Sequence, residues 1–381
     1  MLAAASDRAA LVEALGPGDV LVASYGLLHT ASDLLGSRRF AVAVFDEAQN
    51  LKNADTRRAQ ASKRIEADFR LALSGTPVEN RLEELWSLYD LVTPGLLGSR
   101  ESFHRRFASP IEKGIGAHAR QALKTLLRPY LLRRTKAAVL AELPPRTEIT
   151  LEIEPGDEER AFYEALRRKA LEALATPVGT GGQQRIRILA EITRLRRAAC
   201  HPALIDAGTS LEGAKLTALL DLAAELIANR HRALVFSQFT GHLDLVEAAL
   251  TAKGVRLLRL DGSTPAKERA RRVEAFQAGE GELFLISLKA GGSGLNLTGA
   301  DYVIHLDPWW NPAVEDQATD RAHRIGQTLP VTVYRLVLKD SIEQKILALH
   351  STKRALSADF LDGADQAGAL GEDELLALIR G

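Results

Sequence analysis

The sequence is nearly free of cysteine, with Cys200 alone among 381 residues. An intrachain disulfide is therefore excluded, and a reducing compartment fits this composition. No Cys/His cluster has the sequence spacing of zinc ligands, because the dipeptide Cys200-His201 by itself is too little. The sequence thus predicts neither a disulfide-stabilised fold nor a zinc finger.

Long apolar runs and a surplus of either charge are also lacking. No uninterrupted apolar stretch approaches membrane-spanning length, and the N-terminus has no basic start ahead of an apolar core. Lys+Arg and Asp+Glu both number 49, which neither supports nor excludes a polyanion partner, since a groove can be basic in a neutral protein. We expect no membrane partner and a cytoplasmic protein, nucleoid-associated if it is bacterial.

What the sequence does have is alternation of short apolar runs with helical patterns, in a globular composition of 46% hydrophobic and 26% charged residues. From about Asp19 to Pro77 the predicted strands are DVLVAS, FAVAVFD and FRLALS, with the helix NADTRRAQASKRI between the last two. Strands this apolar are buried on both faces, which indicates a parallel sheet with helices around it.

Alternation fades from about Val78 to Gly208, where the patterns are helical except for one alternating strand, Thr147–Glu154. The stretch TPVGTGGQQ is the candidate for a flexible excursion. Alternation returns from about Glu212 to Leu349 with the strands RALVFSQ, VRLLRLDG, ELFLISL, DYVIHLD and VTVYRLV, and EDELLALIRG predicts a short C-terminal amphipathic helix.

These zones predict an α/β protein with two related parallel-sheet lobes separated by a helical insertion. We place the first lobe at residues 1–95, the insertion at 96–210, the second lobe at 211–350 and a helical tail at 351–381. Helices of the second lobe are expected to begin near Gly241, Pro265 and Pro312, the last two with proline in the first turn.

Two carboxylates stand where a predicted strand ends, in FDEAQNLKN (Phe45–Asn53). Ligands bind at the carboxyl ends of the strands in parallel α/β sheets. Asp46 and Glu47 suit a Mg²⁺ ion and an activated water beside a nucleotide phosphate. Such a site also needs a glycine-rich loop with a lysine, yet no Gly-Lys dipeptide occurs anywhere in the sequence.

A glycine-rich segment, KAGGSGLNL (Lys289–Leu297), follows the strand ELFLISL. Its glycines, Gly292 and Gly294 among them, bare backbone amides that can cradle phosphate of a nucleotide or a nucleic acid. The other interpretation is a tight strand-to-helix connection. The segment is not a P-loop, because its lysine precedes the glycines.

The helix predicted from Pro312 carries four polar side chains of interest: Gln317, Asp320, Arg321 and Arg324. Arginines three residues apart on a helix share a face and repel each other unless an anion lies between them. A γ-phosphate would satisfy both guanidiniums. The alternative is a solvated face of salt bridges that uses Asp316 and Asp320.

Trp309 and Trp310 directly precede this helix and cannot both point into one core. One of them either anchors the interface between the lobes or stacks on a ligand.

With these residues in view, the chain resembles the Swi/Snf family of DNA-stimulated, helicase-like ATPases in helicase superfamily two. The resemblance runs from about Val20 to Leu338, and its motifs arrive in the order of the family. They are VASYGLL, FDEAQNLKN, LALSGTPVENRLEELWSLYDLVTPGLLGS, LLRRTKAAVLAELPPRTE, RLRRAACHPAL, VFSQF, LDGSTPAKERARRVEAF, LKAGGSGLNLTGADYVI and QATDRAHRIGQ. The resemblance implies two RecA-like lobes, ATP and Mg²⁺ as cofactors, and double-stranded DNA as partner.

The resemblance also implies a role for each matching residue. Asp46 would organise Mg²⁺, Glu47 would activate water, and Gln49, where the family usually has histidine, would sense the γ-phosphate. Hydrolysis would be coupled to lobe closure by Ser74, Gly75 and Thr76. Arg321 and Arg324 would stabilise the transition state, and the wider ATP and coupling set includes Gly292, Gly294, Gln317 and Asp320.

Contacts with the DNA backbone would come from Ser24, Gln238, Thr264 and Lys289, although local capping explains a serine or threonine nearly as well. Two insertion segments, LLRRTK and RLRRAACHP, resemble basic edges of a DNA track. Their arginines, Arg133, Arg134, Arg196 and Arg197, either bind DNA or pair with glutamates of the insertion.

The phosphate lysine of this family lies in a Gly-Lys-Thr loop on the first strand of the first lobe. We therefore expect the missing half of the site upstream of Met1, so that this chain is the C-terminal portion of an ATP-dependent translocase and has negligible ATPase activity alone. The first sheet would then be uncovered, and the chain would aggregate or be completed by a second polypeptide. The alternatives are a non-catalytic nucleic-acid-binding or scaffold protein and, less in keeping with the insertion motifs, an RNA helicase.

Overall fold

Two compact units make up the protein in a computed structural model, the first reaching Leu132 and the second beginning at Arg133. The structure describes residues 2, 7–75, 82–113, 115–134, 136–140, 142–175, 181–291, 294–350 and 372–380. Each unit is an α/β structure built on a parallel sheet, as the sequence predicts.

The sheet of the first unit has two described strands, β1 (Arg39–Phe45) and β2 (Glu66–Ala72). They pair in parallel, with Arg39 opposite Glu66 and Phe45 opposite Ala72. The crossover between them contains a helix whose N-terminus is capped by Thr56, which accepts a hydrogen bond from the amide of Ala59. The predicted strands FAVAVFD and FRLALS and the helix between them are confirmed. Their predicted burial on both faces is wrong, because only Phe45 of the two strands is buried and the other side chains are half-buried or exposed.

The helices of the first unit are α1 (Arg8–Glu13), α2 (Tyr25–Leu28), α3 (Ser32–Gly36), α4 (Arg57–Lys63), α5 (Leu82–Val92), α6 (Arg100–Phe103), α7 (Ser109–Glu112) and α8 (Ala117–Leu127). A π-helical turn joins α6 to α7, and Phe103 and Phe107 on this stretch pack with Leu82, Leu123 and their neighbours in one apolar cluster. This cluster fixes α5 to α8 as one packed layer.

The third strand predicted for the first unit, DVLVAS, is wrong. Residues 19–24 have no regular secondary structure, and the side chains of Val20 and Val22 are 83% and 54% exposed. A strand needs a neighbour for its amides and carbonyls. Among the described residues this segment makes one backbone hydrogen bond to a distant segment, from the amide of Leu2 to the carbonyl of Val22 (2.9 Å).

The sheet of the second unit has six parallel strands in the order β3-β8-β7-β4-β6-β5. The strands are β3 (Arg146–Ile153), β4 (Ala233–Ser237), β5 (Leu257–Leu260), β6 (Leu283–Ser287), β7 (Tyr302–His305) and β8 (Val331–Leu338). Every residue of β4 and β6 is buried, because helices cover both faces of the sheet centre. All five strands predicted for the second lobe are confirmed.

The strand predicted within the helical insertion also exists, as β3. It pairs with β8 over its full length, from Arg146 opposite Val331 to Ile153 opposite Leu338. This strand of the insertion is therefore an edge of the second unit's sheet. The division of the chain into four parts stays a prediction.

The helices of the second unit are α9 (Lys136–Val139), α10 (Asp157–Ala175), α11 (Gly181–Cys200), α12 (Ala214–Ala228), α13 (Thr240–Ala252), α14 (Ala266–Gln277), α15 (Leu288–Gly291), α16 (Pro312–Thr319), α17 (342–350) and α18 (Glu372–Arg380). The predicted starts near Gly241, Pro265 and Pro312 are confirmed. Part of the predicted excursion, residues 176–180, lies outside the described residues. In the part of the chain that the structure describes, no helix is both long and apolar enough to cross a bilayer.

A buried ion pair joins α12 to α17. The ammonium of Lys215 lies 2.8 and 2.9 Å from the two carboxylate oxygens of Glu343, and both side chains are fully enclosed. Burial alone would lower the pKa of Lys215, but the carboxylate of Glu343 outweighs it, so the pKa is raised and the lysine stays charged. The amide of Leu338 donates to the same carboxylate (2.9 Å), which ties the pair to the end of β8.

Candidate functional site

The acidic pair of the first unit lies in the turn that follows β1. The amide of Leu73 donates to the carbonyl of Phe45 (2.9 Å), and the amide of Ala48 donates to the carbonyl of Leu73 (2.8 Å). These bonds hold the turn against the end of β2. Between them the backbone of Glu47 adopts a left-handed conformation with φ 49°, which is uncommon for a residue other than glycine. Strain of this kind is typical of functional turns.

A chain of side-chain hydrogen bonds joins this turn to the residues after β2. The amide nitrogen of Gln49 donates to the carboxylate of Glu47 (2.7 Å), and the hydroxyl of Ser74 donates to the amide oxygen of Gln49 (2.8 Å). Three predicted site residues, 27 positions apart at most, are thus brought together. Gly75 follows in an exposed bend, and Thr76 lies outside the described residues.

Asp46 points its carboxylate to solvent, and one of its oxygens accepts from the amide of Glu47 (3.0 Å). Its backbone carbonyl accepts from the hydroxyl of Tyr25 (2.6 Å). Burial, followed by the charges of Asp46 and Glu47, raises the pKa of Tyr25 above its usual range, so the tyrosine remains a donor. Tyr25 thereby fixes the backbone that carries the two carboxylates, a contact that the sequence analysis missed.

In the second unit the glycine-rich segment and the arginine segment contact each other directly. The amide of Leu297 donates to the carbonyl of Arg321 (2.9 Å), and the guanidinium of Arg324 donates to the carbonyl of Leu295 (3.3 Å). Gly294 has φ +56°, and this left-handed backbone conformation favours glycine, although a Cβ atom there would meet nothing within 4 Å. Gly292 lies outside the described residues.

The prediction that one helix from Pro312 carries Arg321 and Arg324 is wrong, because α16 ends at Thr319 with Asp320 as its C-cap. After Thr319 the amides of Arg321 and Ala322 bond to carbonyls three residues back instead of four. The carbonyls further along bond to the amide of Leu297, the side chain of Gln327 and the ammonium of Lys136, which holds the segment in turns. Both arginines therefore lie in turns beyond the helix, and the argument from a shared helical face does not hold.

The environments of the two arginines also differ. Arg321 is buried, with 7% of its surface exposed, whereas Arg324 is exposed. Gln317 lies on α16 and is half-buried. A ligand in solvent would therefore contact Arg324 first. Arg321 would contact that ligand only from the buried side of the arginine segment.

The two aspartates of this region pair with Arg146 of β3. Its guanidinium lies 3.1 Å from Asp316 and 3.7 Å from Asp320. Lys136 of α9 adds a second link, since its ammonium lies 2.6 Å from Asp320 and donates to the carbonyl of His323 (2.8 Å). Asp316 and Asp320 thus form salt bridges, but these pairs are with Arg146 and Lys136 of other elements, and the alternative of a salt-bridged face that includes Arg321 and Arg324 stays a prediction.

Lys136 and Arg146 were not singled out as site residues from the sequence. Lys136 ends the segment LLRRTK, which was noted only as a basic edge, and Arg146 carries no local signal. Only the pairing of β3 with β8 brings it to the arginine segment.

Arg196 is a buried structural residue, so its interpretation as part of a basic DNA-facing edge is wrong. Only 3% of it is exposed, and it donates to the side chain of Gln238 (3.1 Å) and the carbonyl of Pro308 (2.6 Å). The rings of Trp309 and Trp310 lie 5.8 and 5.4 Å from its guanidinium. Both tryptophans thus flank an internal cation. Arg133, Arg134 and Arg197 are exposed, and their role stays a prediction.

The four candidate DNA contacts occupy different environments. Ser24 is exposed at the N-cap position of α2, and Lys289 is exposed on α15. Thr264 accepts from the amide of Asp261 (3.1 Å), which is the local capping weighed as its alternative. Gln238 uses its side-chain oxygen to accept from Arg196. Lys289 is therefore the one of the four that presents a positive charge to solvent.

Comparison with known proteins decides the family. The SNF2-related domain matches residues 7–204, more than half of the chain, and the helicase conserved C-terminal domain matches residues 214–326. The chain belongs to the SNF2 family. Its fold is that of the SWI2/SNF2 ATPase core, with two RecA-like lobes. The core of Sulfolobus solfataricus is 32% identical, with a TM-score of 0.53 over 93% of this chain and 74% of that one. The same core solved with double-stranded DNA gives 32% and 0.52, over 93% and 76%.

Relatives in several organisms share this similarity. YwqA of Bacillus subtilis (strain 168), named for ATP-dependent helicase/translocase activity, is 39% identical over 95% of this chain and 40% of its own length. The human SWI/SNF-related regulator of chromatin subfamily A member 1 is 33% identical over 96% of this chain and 36% of its own length. The chain therefore spans about two-fifths of the length of these two relatives.

Proposed function

We propose that this chain is the ATP-hydrolysing part of a translocase that moves on double-stranded DNA. The observation that carries the proposal is that each unit joins two family motifs distant in sequence. In the first unit Glu47, Gln49 and Ser74 form one hydrogen-bonded chain. In the second unit the glycine-rich segment bonds to the arginine segment through Leu297 and Arg324.

The acidic turn fits a magnesium ion with ATP. Mg²⁺ prefers carboxylate oxygens and keeps several waters, and Asp46 offers an exposed carboxylate in an otherwise backbone-fixed turn. The ion would neutralise charge on the transferring phosphate. Glu47 would orient and deprotonate the attacking water, and Gln49 holds that carboxylate in place. Arg324 would approach the phosphate from the second unit.

We further propose that this chain has negligible ATPase activity by itself. The sequence contains no Gly-Lys dipeptide, so the loop that would hold the β- and γ-phosphates has no counterpart in it. A second polypeptide or further segment would supply that loop. The apolar side chains Val42, Val44 and Phe69 of β1 and β2 are more than half exposed, which supports such a contact.

DNA as the partner rests on the solved Sulfolobus core in complex with double-stranded DNA and on exposed Lys289, Arg133 and Arg134 of this chain. A non-catalytic DNA-binding or scaffold role is the second candidate. It is favoured by the absence of a Gly-Lys dipeptide, but it gives no chemical reason for the bond between Gln49 and Glu47.

The test measures ATP hydrolysis with and without double-stranded DNA for two proteins: this chain, and this chain with a first-lobe segment carrying a Gly-Lys-Thr loop fused ahead of Met1. We expect no turnover for the first and DNA-stimulated turnover for the second. Glu47→Gln in the fusion is expected to lower kcat by about 10² to 10⁴-fold, and Arg324→Ala by about 10³-fold or more.

Arg271→Ala is the matched control for the arginine, because Arg271 is an exposed helical arginine paired only locally with Glu268. The fusion with Arg271→Ala should hydrolyse ATP as the unaltered fusion does. DNA binding without hydrolysis by a folded fusion would favour the scaffold role, and stimulation by RNA rather than DNA would overturn the proposed substrate.

A further inference from the structure

Three side chains that could ligate a metal meet in the core of the second unit. Cys200 ends α11, His242 lies in the first turn of α13, and Asp307 follows β7. One ligand atom of each lies within 4.8 Å of the other two. All three residues are at most 1% exposed. Their positions in the sequence are too scattered for a spacing motif, which explains why no zinc pattern is visible there.

His242 is the side chain that points to a ligand. It is 1% exposed, and neither of its ring nitrogens has a hydrogen-bond partner among the residues that the structure describes. Buried polar atoms are nearly always partnered, so an imidazole with two such nitrogens calls for an explanation. Neutral imidazole is a common ligand of transition metals. The ring is also within reach of a thiol and a carboxylate, which are the other ligand types that zinc takes in proteins.

We propose that Cys200, His242 and Asp307 bind a zinc ion in the core of the second unit, with the fourth tetrahedral position left to a water. A thiolate sulfur, an imidazole nitrogen and a carboxylate oxygen together favour Zn²⁺ over the harder Mg²⁺ and Ca²⁺. The neighbouring His201 is not a ligand. Its Nδ1 accepts from the amide of Ala203 (3.1 Å), and its Nε2 bonds to the carbonyl of Glu212 (2.7 Å).

The charge balance of the site is compatible with a divalent ion. On binding, the S–H bond of Cys200 breaks, a sulfur–zinc bond forms, and the proton leaves to solvent. The thiolate then offsets one positive charge of the metal. Asp307 offsets the other while it also lies 3.9 Å from the guanidinium of Arg196, and the Cys200 sulfur, which here points to Glu343 (4.0 Å), would turn to the metal. The nearby Lys215 is paired with both oxygens of Glu343, and Arg196 has the carbonyl of Pro308 and the aromatic rings as further partners.

Asp307 already accepts hydrogen bonds from the hydroxyl of Ser237 and the amide of Gln238 (3.2 Å). A carboxylate has about four lone-pair positions, so these bonds leave room for a metal. Zinc ligands lie about 2.0–2.3 Å from the ion, so the three side chains would draw together slightly on binding. The ion would tie α11 and α13 to the loop that begins with Pro308 and holds both tryptophans.

The test uses this chain as it is, purified without chelator and without an affinity tag that binds metal. Elemental analysis is expected to find one equivalent of zinc per chain. After removal of zinc, titration with Co²⁺ should give the near-ultraviolet band of a cobalt–thiolate bond together with the visible bands of tetrahedral cobalt. Re-addition of Zn²⁺ should raise the Tm of the apo protein.

His242→Leu is the decisive variant, because it fills the same space without a ligand atom and removes two buried polar nitrogens. Under the proposal the apo form of this variant folds, binds at least ten-fold less zinc, and shows no rise in Tm when zinc is added. Cys200→Ser should lose the cobalt–thiolate band. His231→Gln is the matched control, since His231 bonds to Asp301 outside the cluster, and it should bind zinc as the unaltered chain does.

Two results would overturn the proposal. One is a folded chain that takes up no zinc or cobalt at micromolar metal. The other is cobalt binding that persists without a thiolate band, or that is unaffected by His242→Leu. Either would mean that His242 is a neutral buried histidine with no ligand role.

Discussion

The strands of the two sheets are similar in sequence but differ in burial. In β4 and β6 every residue is buried, whereas in β1 and β2 the side chains of Val42, Val44 and Phe69 are 53%, 54% and 59% exposed. The letters of FAVAVF and ALVFS do not distinguish the two cases. The apolar sequence of a strand therefore shows that the strand needs to be buried. Whether other residues of this chain cover it is known only from the structure.

One ion pair from each unit shows a similar contrast. In the first unit the side chains of Arg39 and Asp68 are 71% and 59% exposed. In the second unit Lys215 and Glu343 are completely enclosed. Since a buried charge needs its partner and an exposed one has water, the pair of Lys215 and Glu343 is expected to matter far more for stability than the pair of Arg39 and Asp68.

The largest expected effect concerns association. Light scattering at increasing concentration should show the whole chain self-associating through the apolar face of β1 and β2, while a fragment of residues 133–381 stays monomeric. The triple variant Val42→Thr, Val44→Thr, Phe69→Thr should reduce the association of the whole chain several-fold. If the whole chain stays monomeric at high concentration, its exposed apolar face does not cause association. The main difference inferred between the two sheets would then be contradicted.

The next largest effect concerns the buried ion pair. Lys215→Met should lower the free energy of unfolding by about 3–5 kcal/mol in urea, because it leaves the carboxylate of Glu343 enclosed without its cation. Arg39→Met should change it by about 0–1 kcal/mol. The double variant Lys215→Met, Glu343→Leu should recover much of the loss. Equal losses for Lys215→Met and Arg39→Met would contradict the distinction drawn between the units.

A matched pair of strand substitutions gives a smaller difference. Val235→Thr in β4 buries a hydroxyl in an apolar cluster and should lower the free energy of unfolding by about 1–3 kcal/mol. Val44→Thr in β1, at a half-exposed position, should change it by less than about 0.5 kcal/mol. Urea unfolding followed by circular dichroism measures both. Val44→Thr costing as much as Val235→Thr would indicate that the face of β1 is covered in solution.

The smallest effect is a dependence on pH in the second unit. Burial would raise the pKa of Glu148, but its hydrogen bond to Arg146 and the charge of Arg335 outweigh burial and lower the pKa to about 2. A carboxylate with a lowered folded pKa stabilises the fold above its unfolded value of 4.5, and this contribution is lost as the pH falls from there towards 2.

Unfolding free energies measured from pH 5 to pH 2 should therefore fall less steeply for Glu148→Gln than for the unaltered chain. Asp68→Asn, which removes an exposed carboxylate of the first unit, serves as the control and should leave the slope almost unchanged. Identical slopes for the Glu148→Gln variant and the unaltered chain would mean that the pair with Arg146 contributes nothing in solution.

Periodicity predicted the strands of both sheets and most helices, because the spacing of apolar side chains follows the period of the element that carries them. It failed where distant hydrogen bonds decide. DVLVAS has the letters of a strand and lacks a neighbouring strand among the described residues. The helix from Pro312 stops at Thr319, and the turns that follow are held by Leu297, Gln327 and Lys136, which bond to their carbonyls.

The candidate site also has features that the sequence predicted and features that depend on distant contacts. The residue types at Asp46, Glu47 and Gln49 pointed to phosphate chemistry, and the structure brings the last two together with Ser74. The burial of Arg196 was not predictable, because nothing in the sequence RLRRAACHP distinguishes this arginine from its neighbours. Its partners Gln238 and Pro308 and the rings of Trp309 and Trp310, all distant in sequence, distinguish it from exposed Arg197.

Gln49 has one further consequence. Its amide nitrogen donates to Glu47 while its oxygen accepts from Ser74, so one orientation of a single planar group satisfies both partners. Whatever draws the carboxylate of Glu47 aside would allow that plane to rotate and would release the hydroxyl on the far side. Ligand binding at Glu47, after the end of β1, would thus change the hydrogen bonding of Ser74, after the end of β2. The side-chain amide of Gln49 would carry this change, and the backbone would not have to move.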